Sequence, residues 1–86
     1  MTLIVNVVNG EVMHVVDTGW CTASKIAGMF PFGEVYIQAE ENQAMQWRVL
    51  QRPTRDGDKH SYFAQLLPIK VEQLPEIVQV VHACTN

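Results

Sequence analysis

The dipeptide Asn9-Gly10 lies between two runs rich in β-branched residues, residues 3–8 and 11–16. An Asn-Gly pair in this setting is the strongest short-range signal for a β-hairpin, because both residues accept the positive φ angles of a two-residue turn. Such a turn also sets the register of the two strands, starting with Val8 opposite Glu11. We therefore predict that the chain begins with a tight hairpin.

The predicted register sorts the side chains of this hairpin onto two faces. The face assigned to a core contains Leu3, Val5, Val7, Val12, His14 and Val16. The opposite face contains Ile4, Asn6, Val8, Glu11, Met13 and Val15. This second face is also more apolar than contact with water requires. Its apolar members, Ile4, Val8, Met13 and Val15, are the predicted partner-binding residues.

A short helix and two further strands follow in the pattern of apolar residues. Apolar side chains recur at helical spacing over residues 20–30, and Pro31 and Gly33 end that helix. Residues 35–40 and 45–50 then alternate between apolar and polar, as half-buried strands do, with a turn at residues 41–43.

The last third of the chain contains a polar segment, a strand and a closing helix. Residues 53–60 form the polar segment, and residues 61–67 are predicted to be a strand that ends at Pro68. The apolar residues Leu74, Ile77, Val78 and Val81 fall at i, i+3, i+4 and i+7, which predicts a helix. The β-branched residues within 77–83 keep a strand as the alternative there.

The resulting order is ββαβββα, which predicts one α+β domain over residues 1–86. We expect a mostly antiparallel sheet of about five strands, with both helices on one face. That arrangement leaves the other face open to a second copy of the chain or to another protein. A homodimer is therefore expected.

Size and charge narrow the function classes. The chain has 86 residues, of which 48% are hydrophobic and 17% charged, as in a folded domain rather than a disordered one. Its formal net charge of −3 argues against a dedicated binder of nucleic acid or anionic membranes. The sequence contains no long apolar run and no signal-peptide pattern, so a cytoplasmic protein without membrane contact is expected.

Residues capable of catalysis or metal binding are few and scattered. Cys21, Cys84, His14, His60 and His82 lack the short spacing of zinc ligands, so we expect neither a metal nor a cofactor. Cys21 follows a predicted helix cap, where amide groups can lower the pKa of a thiol. A small enzyme that depends on Cys21 is therefore a third hypothesis, although no catalytic motif accompanies this residue.

One segment concentrates positive charge and aromatic side chains. Arg48, Arg52, Arg55 and Lys59 are four of the six Lys and Arg residues, and Tyr62 follows them. These residues are the alternative contact set, in which the cations bind phosphates and Tyr62 stacks on a base. Asp56 and Asp58 lie in the same segment and reduce its positive field.

The leading hypothesis is a small non-enzymatic module that binds and modulates a larger protein or nucleoprotein complex, acting as an inhibitor or adaptor. Spare apolar surface, an acidic balance and the absence of catalytic motifs motivate it. Small accessory proteins encoded by phages and plasmids share this size and charge, which is an analogy and not a resemblance to a family. Nucleic-acid binding by the basic segment is the alternative.

Overall fold

A computed structural model describes residues 2–53 and 62–85, and it has the predicted order ββαβββα. The strands are β1 (Thr2–Val8), β2 (Glu11–Thr18), β3 (Glu34–Glu41), β4 (Ala44–Gln51) and β5 (Gln65–Pro68). The helices are α1 (Ala23–Met29) and α2 (Glu76–Thr85), and a single 3₁₀ turn, Val71–Gln73, precedes α2. The α+β class is confirmed, and the closing segment is a helix rather than a strand.

The five strands form one antiparallel sheet in the order β2-β1-β3-β4-β5. β2 and β5 are therefore its edges. Asn9 and Gly10 have φ angles of 53° and 79°, which confirms the predicted two-residue turn. Asn42 and Gln43, at 53° and 66°, form a second turn of this kind between β3 and β4.

The register of the first hairpin differs from the prediction beyond its second pair. Val8 faces Glu11 and Val7 faces Val12 as predicted, but Asn6 then faces His14. Met13 is therefore an extra residue, a β-bulge, and each later pair is displaced by one position. Because the side-chain period of a strand is two, this displacement moves His14 and Val16 to the face of Ile4 and Val15 to the face of Val5.

The two helices lie on opposite faces of the sheet, so the prediction that they share one face is wrong. Ile4 of β1 packs with Ile26 of α1, whereas Val5 packs with Val78 of α2. The core beneath α1 also contains Cys21, Phe30, Val35, Ile37 and Leu50, and the core beneath α2 also contains Val7, Tyr36, Trp47 and Leu74. The central strands are apolar on both faces, so each face requires its own cover.

Local interactions define where the elements begin and end. Oγ1 of Thr22 accepts a hydrogen bond from the Lys25 amide at 3.2 Å, so α1 begins after Thr22 rather than at residue 20. β5 is shorter than the strand predicted at 61–67, and the predicted polar segment falls largely outside the described residues. Neither helix in the described ranges is long and apolar enough to cross a membrane.

Candidate functional site

An apolar groove lies between the β1–β2 hairpin and the segment that follows α1. Its volume is about 290 Å³. It is lined by Asn6, Val8, Met13, His14, Met29, Phe30, Pro31 and Phe32, and we call it the Met13 groove. Because these residues come from two separate parts of the chain, the groove is a product of the tertiary fold.

Large apolar side chains at the Met13 groove are open to solvent. Phe32 is 75% exposed, Met13 is 54% exposed and Met29 is 43% exposed. Phe30, in contrast, is buried in the core beneath α1. Isolated exposed apolar residues are ordinary, but several around one concave surface are typical of a binding site.

The loop that carries Phe32 is anchored by the buried side chain of Asn6. Nδ2 of Asn6 donates hydrogen bonds to the backbone carbonyls of Phe32, at 3.0 Å, and Glu34, at 3.2 Å. A carbonyl oxygen can only accept, so the end of the Asn6 amide that faces these two carbonyls is the NH₂ group. The other end, Oδ1, therefore accepts a hydrogen bond from Nδ1 of His14 at 3.1 Å. That assignment places a hydrogen on Nδ1 of His14.

Two further contacts hold the same segment. The guanidinium of Arg52 donates a hydrogen bond to the carbonyl of Gly33 at 2.9 Å. The ring of His14 packs against that of Phe30, with centroids 5.6 Å apart. Contacts within the chain therefore hold the backbone of this loop and the ring of His14 at the Met13 groove.

The four predicted partner-binding residues do not form one surface. Ile4 is fully buried beneath α1, so its side chain is not available to a partner. Val8 and Met13 both line the Met13 groove. Val15 is 50% exposed, but the bulge places it on the opposite face.

The basic residues of the alternative contact set already have partners within the chain where the structure describes them. Arg48 forms an ion pair with Glu41, and Arg52 binds the carbonyl of Gly33. Tyr62 is 73% exposed. Arg55 and Lys59 lie outside the described residues. A phosphate at Arg48 or Arg52 has to compete with these internal contacts.

A second polar cluster joins α2 to the sheet. Nδ1 of His82 accepts a hydrogen bond from the indole Nε1 of Trp47 at 2.9 Å, and Nε2 of Gln38 lies 3.4 Å from the same atom. An indole N–H can only donate, so this ring nitrogen carries no hydrogen. Trp47 and Gln38 are both buried, so the cluster satisfies polar groups inside the molecule.

The cysteines occupy different environments. Cys21 is buried, and its thiol donates a hydrogen bond to the carbonyl of Gly19 at 3.5 Å, whereas Cys84 is exposed. Both thiols are free. The hydrogen bonds described above join His14 to Asn6 and His82 to Trp47, and neither bond involves a cysteine. Within residues 2–53 and 62–85, no three His, Cys, Asp or Glu side chains form a group that could hold a metal ion.

Sequence reasoning missed the residues that follow α1. The pattern marks Pro31 and Gly33 only as the end of the helix, yet Phe32 between them is the most exposed large apolar side chain of the Met13 groove. The signal was the motif Phe-Pro-Phe-Gly, in which a large apolar residue sits where the chain must turn. Asn6, a polar residue between Val5 and Val7, is the second signal.

No family model matches the chain. Comparisons with curated proteins and with solved structures also find no significant similarity. The geometry of the Met13 groove is therefore the basis for the proposal that follows.

Proposed function

We propose that this chain is a small non-enzymatic interaction module that binds a larger protein through the Met13 groove and modulates it. The observation that carries the proposal is the exposed Phe32 on an anchored loop. Buried aromatic anchors contribute much of the binding energy at protein interfaces. An anchor whose backbone is already held in place costs less conformational entropy on binding.

The chemistry of the Met13 groove favours a protein partner. Its lining is mainly apolar, and its two polar side chains, Asn6 and His14, bind each other. Polar or charged small ligands require groups that fix their orientation. Apolar side chains of another protein require only a matching shape and the exclusion of water.

Affinity capture from a lysate of the native host, with and without nuclease, tests the proposal. We expect a protein that the wild type retains after nuclease treatment and that Phe32→Asp and Met13→Asp no longer retain, because each substitution places a charge in the contact. Trp20→Asp is the matched control. Trp20 is 78% exposed but lines a different pocket, with Ala39 and Arg48.

The variants separate the outcomes of this experiment. Equal circular dichroism spectra for wild type and variants establish that each variant is folded. If both groove variants retain the same protein as the wild type, or if Trp20→Asp loses it equally, the Met13 groove is not the contact and the proposal is wrong.

Nucleic-acid binding by the basic segment is the competing proposal. It is supported by the concentration of four of the six Lys and Arg residues between positions 48 and 59. It requires that nuclease removes all captured partners and that Arg52→Glu combined with Arg55→Glu removes salt-dependent binding to nucleic acid. Unchanged affinity of that double variant would exclude it.

A further inference from the structure

β2 is an edge strand with an open side. It is eight residues long, and in the described part of the chain its backbone pairs with β1 alone. The other edge strand, β5, has only four residues and ends at Pro68. An open edge presents unpaired N–H and C=O groups to any extended chain that reaches it.

β2 lacks two of the residue types that commonly protect an edge. Lysine and proline commonly serve this purpose, and β2 contains neither. Its bulge at Met13 interrupts only the end near the turn. Met13 and Val15 are both about half exposed, so apolar surface accompanies the open backbone.

The charge along this edge has one sign. Residues 1–24 contain no Lys or Arg, and β2 carries the exposed carboxylates of Glu11 and Asp17. A second copy paired through β2 would bring both carboxylates of each strand to one interface without a cation on either strand. Like charges at an interface are unfavourable, whereas a basic partner gains from the same carboxylates.

We propose that β2 accepts an extended basic segment of the partner protein as a sixth strand, and that one apolar side chain of this segment enters the Met13 groove. The inference rests on the proposed function and names the chemistry of the partner. An added strand lies about 4.8 Å from β2. Met13 and His14 of β2 line the groove, so a side chain on that face of the added strand is next to it. Backbone pairing with pockets for alternate side chains is an established mode of peptide recognition.

Selection from a displayed library of random peptides of about nine residues, a typical strand length, tests the inference. We expect enriched peptides in which apolar residues alternate with Lys or Arg. The affinity of a selected peptide should fall by about tenfold or more in Val15→Lys and in Asp17→Lys, because the new cation repels the basic strand. Leu67→Lys on β5, at the opposite edge, is the matched control and should bind as the wild type does.

Other outcomes overturn the inference. The selection overturns it if acidic peptides are enriched, or if no peptide is enriched above the background obtained with Val15→Lys. The affinity measurement overturns it if Leu67→Lys weakens peptide binding as much as Val15→Lys does. Sedimentation equilibrium adds a further test. If the wild type is a dimer that Val15→Lys dissociates and Leu67→Lys leaves intact, β2 binds a second copy of the chain.

The lysate experiment distinguishes this inference from the proposed function. If Val15→Lys and Asp17→Lys still capture the protein that Phe32→Asp loses, the Met13 groove binds the partner and the β2 inference is wrong. If Phe32→Asp and Met13→Asp capture it as well as the wild type does, the proposed function itself is wrong.

Discussion

Gly33 determines how closely the loop after α1 approaches β1. Its φ angle is +77°, in the region that side chains rarely adopt, and a Cβ atom there would lie 2.3 Å from the backbone oxygen of Val7. The side chain of Asn6 binds the carbonyls of Phe32 and Glu34, on either side of this glycine. The exposed Phe32 is therefore positioned by a buried asparagine and by a residue without a side chain.

We expect Gly33→Ala to lower the free energy of unfolding by at least about 2 kcal/mol, because it adds a backbone clash to an unfavourable φ angle. Gly28→Ala is the control, since a Cβ atom at Gly28 meets nothing within 4 Å. That substitution in α1 should raise stability by about 0.5 to 1 kcal/mol. Urea denaturation measures both changes, and a Gly33→Ala variant as stable as the wild type would contradict the close approach of the loop to β1.

Tyr36 should make stability fall at alkaline pH. Burial, followed by the charge of Glu34 and a hydrogen bond to its carboxylate, raises the pKa of Tyr36 from 10.0 to about 12. Between these values the unfolded chain releases the proton and the folded chain keeps it, so rising pH favours unfolding. The stabilisation is complete below pH 10 and is lost by about pH 12.

Urea titrations at several values of pH above 9 test this expectation, with Tyr36→Phe as the control. The wild type should lose more stability than the variant as the pH rises, since the variant has no phenol to titrate. Parallel loss in both proteins would show that other groups cause it.

Among the elements, those defined by local sequence were predictable. The Asn9-Gly10 turn, the alternation in β3 and β4 and the apolar stripe of α2 each reflect interactions between near neighbours. The bulge at Met13 was not predictable in this way. Val15 and Val16 are both apolar, so the pattern fits either register, and the observed one brings His14 to the buried Asn6 across the strands.

The position of α1 depended on a contact between distant parts of the chain. The sequence shows that β1 is apolar on both faces, but it leaves open whether a second copy, another protein or the chain itself covers the face of Ile4. In the structure α1 covers it, and Ile26 packs against Ile4. Of the predicted contact residues, Val8 and Met13 lie in the Met13 groove, while Phe32 was missed because no periodic pattern marks a loop residue.

The attachment of α2 to the sheet should depend on the bond between His82 and Trp47. We expect His82→Leu to lower the free energy of unfolding by about 1 to 3 kcal/mol, because the buried indole N–H of Trp47 loses this acceptor. In Trp47→Phe the donor is absent, so adding His82→Leu should then cost less. A double-mutant cycle by urea denaturation measures the coupling, and strictly additive effects would mean that the bond contributes nothing.

One sheet separates two hydrophobic cores in the described part of the chain. β1 supplies Ile4 to one core and Val5 to the other, and β3 likewise supplies Ile37 and Tyr36. Each core is small, and the two helices pack on opposite faces of the same strands, β1 and β3. Loss of one core removes support from the strands of the other, so the two should unfold together.

Substitutions on one side of the sheet should therefore be detected on the other side. Trp47 lies beneath α2 and is buried, whereas Trp20 is exposed, so the change in tryptophan fluorescence on unfolding reports mainly the α2 side. Ile26 of α1 lies in the core between this helix and the sheet, and Ile26→Val should lower the free energy of unfolding by about 0.5 to 1.5 kcal/mol. We expect the urea midpoints measured by fluorescence and by far-ultraviolet circular dichroism to decrease equally, as they should also for Val78→Ala on the α2 side. If Ile26→Val shifts the circular dichroism midpoint and leaves the fluorescence midpoint unchanged, the two faces unfold independently and the shared sheet does not couple them.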